Sequence, residues 1–516
     1  MRALLKEKNL ARIFHVLTMI LFVFLFCTSI FITGNNSDDI HDEYIYIEKN
    51  SPLRMLLIIA LFLILMFLVG KLYDKVLCKC NRNLLLGAAC LISLEISIYW
   101  VLSSGTAPQA DQATVITCAR KFFQGDFSDL QEVGYITRCM HLLGLITLHR
   151  IFFYFFGDGN YMAFQFFSAF LVPILVLSGC QILRKLSGNN GKAEFYYLVL
   201  AGTCFPIYAY TAFVYGDLSS TALVLLATWI LLSCLEKFSA LKLIGLAVTI
   251  GLAVQLRRNV LIVLIAFGIV ILVKLLQKWD WKVFFTGCSI FLGALLLQVS
   301  VKGIYNDVRS PEAQEIPAIL YIAMGLHDTY GHPGWNDFSQ HNTFAEYGDD
   351  TKKASEVGKA DIRESMDRFL QDPAYMLYFF HYKINTQWQA PMYQSIVMNN
   401  NVVRDQSLLV KKIYDKELPG QLIKYYMKAF QFFLYGCILL WLILGRKKEI
   451  PIENYVLLIA VFGGFLFSIM WEAKTRYIFP YMLLMLPYFG IGMQELMNLL
   501  TGNLVKLLHR NIDLVN

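Results

Sequence analysis

Charged and aromatic residues cluster where long hydrophobic stretches of this chain end. A carboxylate at such a position can accept a proton from a hydroxyl group, and guanidinium groups can hold a phosphate. If the clusters share one side of a membrane, they predict charged chemistry at a lipid surface. The clusters are Pro108-Gln109-Ala110-Asp111, Tyr215-Gly216-Asp217, Arg257-Arg258-Asn259 and Trp471-Glu472-Ala473-Lys474-Thr475-Arg476.

The composition is typical of a polytopic membrane protein. Of 516 residues, 57% are hydrophobic and only 16% are charged, and the mean hydropathy is +0.52. A soluble protein of this length has no need for so much apolar surface. The net charge of +7 is spread over many short loops, so it indicates membrane topology and no nucleic-acid partner.

Twelve apolar stretches are long enough to be predicted as membrane spans. We therefore predict an all-α polytopic membrane protein with about twelve transmembrane helices, amphipathic interface helices and one larger outer-face segment. The predicted spans are about 13–33, 53–72, 83–104, 160–183, 195–212, 217–235, 240–256, 259–277, 283–301, 423–444, 453–470 and 477–497.

Lysine and arginine in the short loops predict the orientation. Every basic loop precedes the first span or follows an even-numbered span, which places both termini in the cytoplasm and all four clusters on the outer face of the cell membrane. The first outer loop is acidic, which agrees with this orientation. The residues used include Lys6, Lys8 and Arg12 before span one, Asp38, Asp39, Asp42, Glu43 and Glu48 in the first outer loop, Arg446, Lys447 and Lys448 after span ten, and Lys506 and Arg510 after span twelve.

The spans divide the chain into four predicted parts. Residues 1–82 form two accessory helices, 83–301 a transmembrane core with an outer loop at 105–159, 302–422 an outer segment or small domain, and 423–516 the last spans and a cytoplasmic tail. In the outer loop, Ala113–Phe123 and Ile136–Phe156 are amphipathic and predict helices in the interface plane, or ordinary soluble helices. Helical patterns from about Ala360 to Leu370 and from Pro373 to Trp388 predict helices in the outer segment.

Two acids could act as catalytic groups. Asp111, just beyond span three, could act as a general base toward a sugar hydroxyl, or it could be the N-cap of a helix. Asp217 follows Tyr215 in a polar, aromatic notch that could hold a sugar ring, or it could cap span six. Arg257 and Arg258 could bind phosphate, or they could extend to the outer boundary of the membrane.

The last cluster combines one acid with two bases at the start of a span. If the cluster is helical, Glu472 and Arg476 face each other, either as a surface ion pair or to orient Lys474 and Arg476 toward a lipid phosphate. Trp335, together with Trp388 and Tyr382, is a candidate for stacking on a sugar, with ordinary packing as the alternative. The histidines of the outer segment match no metal-ligand spacing, so no metal ligand is predicted, and a divalent metal stays an open alternative.

In these features the chain resembles the GT-C superfamily of membrane glycosyltransferases, which includes protein O-mannosyltransferases, lipid A aminoarabinose transferases and glycosyltransferase family 39-like proteins. The resemblance spans about residues 83–497. It rests on an outer-loop acid, Asp111, followed by amphipathic helices, on Tyr215-Gly216-Asp217, on Arg257-Arg258-Asn259-Val260-Leu261-Ile262, and on the run from Glu472 through Arg476 and Tyr477 to Pro480.

The resemblance implies a sugar donor on a polyprenyl phosphate and an outer-face acceptor that is a glycan, a lipid or a protein. It implies that Asp111 is the catalytic base and that Lys474 and Arg476, with Arg257 or Arg258, stabilise the departing phosphate. The chain differs from many members in two extra spans before the acid and in a single acid where others have a pair. Asp217 or Asp158 could supply the second carboxylate.

Two other functions use the same residue types. A flippase or transporter of lipid-linked saccharides would need polar residues along the spans and access from both faces, whereas these spans are almost purely apolar. A non-catalytic subunit of an envelope polysaccharide assembly system is the third alternative. The sequence favours the transferase over both.

Overall fold

The computed structural model describes residues 7–36, 43–446 and 448–513, with backbone alone for 503–513. Some residues that contributed to the predicted orientation lie outside the described residues: Lys6, Asp38, Asp39, Asp42 and Lys447, and the side chains of Lys506 and Arg510.

The described chain is almost entirely helical. Its helices are α1 (Glu7–Phe31), α2 (Pro52–Lys75), α3 (Arg82–Ser103), α4 (Asp111–Phe123), α5 (Tyr135–Arg138), α6 (Leu143–Phe156), α7 (Met162–Leu186), α8 (Gly191–Gly202), α9 (Phe205–Ala209), α10 (Asp217–Glu236), α11 (Ala240–Leu256), α12 (Val260–Gln277), α13 (Trp281–Ile304), α14 (Ala318–Gly325), α15 (Ser339–Glu346), α16 (Thr351–Gln371), α17 (Pro373–Trp388), α18 (Leu408–Tyr414), α19 (Leu418–Gly445), α20 (Val456–Met470) and α21 (Phe479–Asp513).

Ten helices of the described residues are long and apolar enough to cross a bilayer, so the protein is an all-α, multi-pass membrane protein. They correspond to ten of the twelve predicted spans. The count rises to eleven if Ser128–Arg138 and Met140–Phe156, which meet at a bend of 99°, form one broken span. The ten are α1, α2, α3, α7, α10, α12, α13, α19, and α20 and α21 with the short 3-10 turns that precede them.

The predicted count of twelve is not confirmed, because two stretches are too short. The stretch 195–212 is interrupted: α8 ends at Gly202 and α9 begins at Phe205, followed by Pro206, which cannot donate a helical hydrogen bond. The stretch 240–256 is a continuous helix, α11, but its 17 residues rise only roughly 25 Å, less than the hydrocarbon thickness of about 30 Å.

Both short stretches nevertheless connect the two ends of the bundle. At one end, Lys192 at the start of α8 pairs with Asp74 of α2; at the other, Val214 contacts Gln112 next to the start of α4. Helix α11 begins beside the end of α10 and ends against Gly216, at the start of α10. The chain therefore returns to the same end of the bundle before α4, α10, α12 and the turn preceding α21. We call this end the site face.

The core lies between α7, α10, α19, α20 and α21. Most of the apolar surface of α10 and α21 is buried, whereas α2, α3 and α13 leave most of theirs exposed, as helices at the edge of a bundle in lipid do. The most extensive contacts join α11 with α13, α10 with α7 and α11, and α19 with α21. Most of these pairs join helices that are not consecutive in the sequence, and α21 closes the bundle against α19 and α8.

Two short hairpins lie outside the helical bundle. Strands β1 (Ile32–Asn36) and β2 (Ile45–Lys49) are antiparallel, with Ile32 opposite Lys49 and Asn36 opposite Ile45. Strands β3 (Asp328–Thr329) and β4 (His332–Pro333) form a smaller hairpin between α14 and α15. The first hairpin packs on α17, so it joins the N-terminal part of the chain to the outer segment.

The helices predicted within the outer segment are confirmed. Helix α16 is longer than the predicted 360–370, because Asp350 accepts hydrogen bonds from the amides of Lys352 and Lys353 and caps it at Thr351. Helix α17 has the predicted bounds, with Asp372 as N-cap and Pro373 at its first position. Helix α4 confirms a helix at Ala113–Phe123, while the predicted helix at Ile136–Phe156 is broken before α6. The division into four parts and the interfacial position of α4 and α6 stay predictions.

Candidate functional site

The carboxylate of Asp111 and the guanidinium of Arg476 face each other on the site face. Asp111 Oδ2 lies 3.5 Å from Arg476 Nη2. The Arg476 side chain is almost wholly buried, whereas 47% of the Asp111 side chain is exposed. The pair therefore joins an accessible carboxylate to a guanidinium that is shielded from water.

The start of α4 is fixed by its flanking residues. Ala110, the N-cap, has φ of 47°, which is unusual for a residue other than glycine, and no side chain caps the helix. The alternative that Asp111 is the N-cap is therefore wrong. Gln112, which is buried, donates to the carbonyl of Met398 at 2.8 Å and accepts from the amide of Val214 at 2.9 Å. These bonds hold Asp111 against the outer segment and the loop before α10.

Asp217 forms a buried ion pair with Arg257. Asp217 Oδ1 lies 3.1 Å from Arg257 Nη2, and the two side chains are 1% and 12% exposed. Gly216 makes this pairing possible: its φ is 87°, and a Cβ on it would lie 2.9 Å from the carbonyl oxygen of Leu256. Because Gly216 is the N-cap and Asp217 makes no capping bond, the alternative that Asp217 caps α10 is wrong.

Aromatic rings surround the two guanidinium groups. Arg476 Cζ lies 5.6, 5.2 and 5.2 Å from the ring centres of Phe213, Tyr215 and Tyr477. Arg257 Cζ lies 5.0 Å from the Tyr215 ring and 5.8 Å from the Tyr477 ring, so both tyrosines are within cation–π distance of both charges. Arg476 Nε and Nη1 have no hydrogen-bond partner among the described residues. A buried guanidinium with unused donors is a candidate site for an anion.

Lys474 extends the charged cluster toward the first hairpin. Its Nζ lies 3.0 Å from Glu43 Oε2 and 3.6 Å from Glu472 Oε1, and 5.3 Å from the Trp335 ring centre. The Tyr477 hydroxyl donates to Glu472 Oε2 at 2.6 Å. Trp335 thus lies at the edge of the site, where its ring meets the lysine ammonium. We use "charged cluster" for Asp111, Asp217, Arg257, Glu472, Lys474 and Arg476.

The outer segment accepts hydrogen bonds from backbone amides of residues 471–476 and so holds this stretch in place. The amide of Ala473 donates to the carbonyl of Gly334 at 2.7 Å, and the amide of Arg476 donates to Gln394 Oε1 at 3.2 Å. Gln394 Nε2 in turn donates to the carbonyl of Glu43 at 2.7 Å. One glutamine side chain therefore fixes both the N-terminal hairpin and the turn that carries Arg476.

The positive charges keep Asp111 ionised. Burial raises the pKa of Asp111, but the charges of Arg476, Lys474 and Arg257 lower it by more, so the pKa lies below its usual range. Burial alone would lower the pKa of Lys474, yet the Glu472 carboxylate raises it above its usual value. Near neutral pH the site therefore holds a carboxylate ready to accept a proton beside an ammonium that stays charged.

A small apolar cavity of about 20 Å³ adjoins Arg257 and Tyr477. It lies between α10, α12 and α21, on the bundle side of the charged cluster. Its apolar lining includes Val224, Val260, Val263, Pro480, Tyr481 and Leu484. The arrangement places a small apolar cavity directly beside the Arg257 guanidinium.

Arg258 and Asp158 lie apart from the cluster. Arg258 is 56% exposed, and its Nη1 lies 3.9 Å from Glu315 Oε2, so it does not join Arg257. Asp158 Oδ2 accepts from Arg120 at 3.0 Å. Of the two acids considered as a second carboxylate, only Asp217 lies in the cluster.

Two predicted interactions are wrong. Glu472 and Arg476 do not face each other on a helix, because residues 472–474 are non-helical and a 3-10 turn begins only at Thr475. Trp388 cannot stack on a sugar, because it is fully buried and its indole N–H donates to Ser468 Oγ at 3.0 Å. In both regions the contacts come from residues far away in the sequence: Ser468 bonds to Trp388, and Gly334 bonds to Ala473.

Sequence reasoning did not single out Glu43, Gln112, Gln394 or Lys383. Glu43 counted only as one charge of an acidic loop, and the glutamines carried no signal beyond their polarity. Tyr477 was named in the run from Glu472 to Pro480, but its contacts with Glu472, Arg257 and Arg476 were not predicted. Lys383 could have been noticed as a lone lysine in the mainly apolar and aromatic helix α17.

Lys383 is a buried lysine behind the charged cluster. It is 0% exposed, its Nζ donates to the carbonyl of Gly325, and it lies 5.9 Å from the Phe379 ring centre. Burial lowers the pKa of Lys383 to about 7, although the Glu472 carboxylate opposes the change. Folding therefore removes the proton from this amine over the alkaline range.

We expect Lys383→Met to remove a pH dependence of stability. Between pH about 7 and about 10, the unfolded chain binds a proton that the folded chain has lost, so the free energy of unfolding of the wild-type protein rises with pH. The variant lacks this contribution, so its stability relative to wild type is greatest near pH 7 and falls toward pH 10. Chemical unfolding in detergent micelles across this range measures the difference.

The matched control for this comparison is Lys359→Met, at an exposed lysine of α16. It should leave the pH dependence of wild type unchanged. Equal slopes in wild type and Lys383→Met would mean that Lys383 keeps its proton in the folded protein.

The described residues contain no group of three or more His, Cys, Asp or Glu side chains that could hold a metal ion together. His332, one of the histidines considered, stacks on Tyr44 with ring centres 3.9 Å apart. The divalent metal considered from the sequence therefore has no evident ligand set in the described part of the chain.

No protein-family model matches the sequence, and no curated protein matches it.

Proposed function

We propose that this protein is a membrane glycosyltransferase of the GT-C type, which transfers a sugar from a polyprenyl-phosphate carrier to an acceptor at the site face. The observation that supports this best is the buried Arg476, with two unused donors, beside the accessible carboxylate of Asp111. A transferase of this kind needs both a phosphate site and a general base within the length of one sugar.

The guanidinium groups suit a phosphate leaving group. Arg476 Nη2 lies 3.5 Å from Asp111 Oδ2, which is longer than a strong charge-assisted hydrogen bond. A phosphate oxygen can therefore compete with the carboxylate for this nitrogen. Its Nε and Nη1 can donate to further phosphate oxygens, and Arg257 and Lys474 add positive charge close by. Because the groups are buried and held in place, they offset the charge of the leaving phosphate without rearranging.

The reaction would proceed by direct displacement. The acceptor hydroxyl oxygen attacks the anomeric carbon while Asp111 takes the hydroxyl proton. The bond from the anomeric carbon to the phosphate oxygen breaks, and its electron pair leaves on the polyprenyl phosphate. One displacement inverts the anomeric configuration. The protein supplies position, a proton acceptor and charge stabilisation.

Donor binding would also strengthen Asp111 as a base. The positive charge of Arg476 lowers the pKa of Asp111. A bound phosphate would neutralise part of that charge, so the pKa of Asp111 would rise toward its usual value. The carboxylate would thus become more basic when the donor is bound, so it would accept a proton most readily when transfer can follow.

The small apolar cavity beside Arg257 and Tyr477 marks where the carrier lipid would enter the bundle. It would have to widen between α10, α12 and α21 to admit the first isoprene units, with the phosphate beside Arg257. The aromatic edge at Trp335 would lie on the sugar side. In this arrangement the donor spans from the bundle interior to the accessible face of Asp111.

The function is tested by a transfer assay with purified protein in lipid nanodiscs. The donor is a synthetic polyprenyl-phosphate monosaccharide labelled in the sugar, and the acceptor source is the membrane fraction of the host. A transferase releases free polyprenyl phosphate and moves the label into a new product. If intact donor crosses the bilayer in proteoliposomes without release of carrier, the protein is a flippase instead. If the protein does neither, the proposed function is wrong.

A further inference from the structure

A second cavity, of about 100 Å³, lies between α6, α11 and α13 on the site face. Unlike the cavity beside Arg257, about half of its lining is polar, although α11 and α13 are apolar helices. We call it the Arg258 cavity. Its polar lining residues are His141, Gln255, Arg258, Gln298, Lys302 and Glu315.

Two cations in this cavity share one carboxylate at long range. Arg258 Nη1 lies 3.9 Å and Lys302 Nζ 3.7 Å from the carboxylate oxygens of Glu315. Both distances exceed those of a hydrogen bond, and the side chains are 56%, 45% and 35% exposed. The donors of both cations are therefore accessible to a further anion.

The Arg258 cavity is the neighbour of the charged cluster. Arg257 has an extended backbone, so consecutive side chains point to opposite sides, Arg257 toward Asp217 and Arg258 toward Glu315. His141, in the cavity lining, interacts electrostatically with Arg258 and with Asp111. A molecule in the Arg258 cavity would therefore lie within electrostatic range of the proposed base, on the other side of Arg257 from the small apolar cavity.

The cavity also borders surface suited to lipid. Gln298 and Lys302 lie four residues apart on α13, so they share one face of that helix. Exposed apolar side chains of α13 lie close by along the helix, including Leu292, Leu295, Leu296 and Val299. An occupant with a phosphate for Arg258 and Lys302 and hydrocarbon for this apolar surface is a phosphate-bearing lipid.

We propose that the Arg258 cavity binds the phosphate group of a lipid, and that the sugar acceptor is a phosphate-bearing glycolipid, a conclusion that rests on the transferase function proposed above. Arg258 and Lys302 hold the phosphate, Gln255 and Gln298 hydrogen-bond to the head group, and the hydroxyl to be glycosylated extends past His141 toward Asp111.

The first experiment measures lipid binding without donor or turnover. The probe is short-chain phosphatidic acid, and native mass spectrometry of the detergent-purified protein counts bound molecules and gives their Kd. We expect the double variant Arg258→Gln/Lys302→Gln to raise the Kd of one bound phosphatidic acid at least about tenfold, since it removes both charged donors to the phosphate. The control Lys282→Gln, at the opposite end of α13, should bind as wild type does.

Further probes and one further variant separate the alternatives. If short-chain diacylglycerol binds as tightly, the cavity does not recognise phosphate; if inorganic phosphate competes as well as the lipid does, it does not recognise lipid. The site must persist in Arg476→Gln, since its loss there would mean that the probe occupies the donor site. Unchanged binding in the double variant would also overturn the proposal.

The transfer assay then tests the acceptor. We expect Arg258→Gln/Lys302→Gln to raise the KM for the acceptor about tenfold or more while leaving the KM for the donor unchanged. Normal acceptor KM in a variant that has lost lipid binding would overturn the acceptor assignment alone. Absence of transfer in wild type would instead overturn the proposed function, while the binding result would still stand.

Discussion

Asp111→Asn is expected to lower the rate of sugar transfer by at least about a hundredfold, because general-base catalysis contributes about 10²–10⁴. The amide is close in size to the carboxylate but cannot accept the proton of the acceptor hydroxyl. It also removes the negative charge beside Arg476, so the donor phosphate should bind at least as tightly as in wild type. The measurement is kcat and the donor KM in the nanodisc assay.

The matched control is Asp158→Asn, which neutralises another ion-paired acid of the same outer loop. It should retain activity near that of wild type. Expression and thermal unfolding of both variants should match wild type, because Asp111 is half-exposed and caps no helix. Full transfer by a well-folded Asp111→Asn protein would remove its role as the base.

Arg476→Lys is expected to lower kcat about 10²–10³-fold, the usual cost of removing one charge-stabilising donor from a transition state. Lysine keeps the positive charge but loses the planar fork, so it cannot make two parallel bonds to phosphate. It also loses the stacked contacts with Phe213, Tyr215 and Tyr477. Because the leaving phosphate gains charge during the reaction, kcat should fall more than donor affinity.

The control for this variant is Arg120→Lys, which also changes an arginine that pairs with an outer-loop aspartate. It lies outside the charged cluster and should transfer sugar normally. Since Arg476 is buried, thermal unfolding of Arg476→Lys in detergent must accompany the kinetics. A folded variant with unchanged kcat would show that Arg476 does not contact the leaving group.

Local signals in the sequence predicted the fold best. The bounds of α17 followed from Asp372 and Pro373, because capping and proline placement depend only on neighbouring residues. The hydrophobic lengths predicted ten of the spans for the same reason. The predicted spans 195–212 and 240–256 were less accurate, because composition alone does not show where Gly202 and Pro206 interrupt a helix or how short α11 is.

The site was predictable in outline only. Placing the clusters at span ends put Asp111, Asp217, Arg257 and Arg476 on one face, and the structure brings these residues together. Which acid pairs with which base depends on how α10, α11 and α21 pack. This packing cannot be predicted from any short stretch of the sequence. The pairing of Lys474 with Glu43 and the separation of Arg258 from Arg257 are results of this packing.

The positions of the ion pairs along the chain impose an order on biogenesis. Asp217 and Arg257 come from consecutive helices, so the ribosome delivers both within a short interval and Arg257 enters the bilayer with its counter-ion already there. Asp111 and Glu43 have no such partner at first, because Arg476 and Lys474 are translated much later than they are. A nascent chain therefore lacks the complete charged cluster until α20 and the turn before α21 have been inserted.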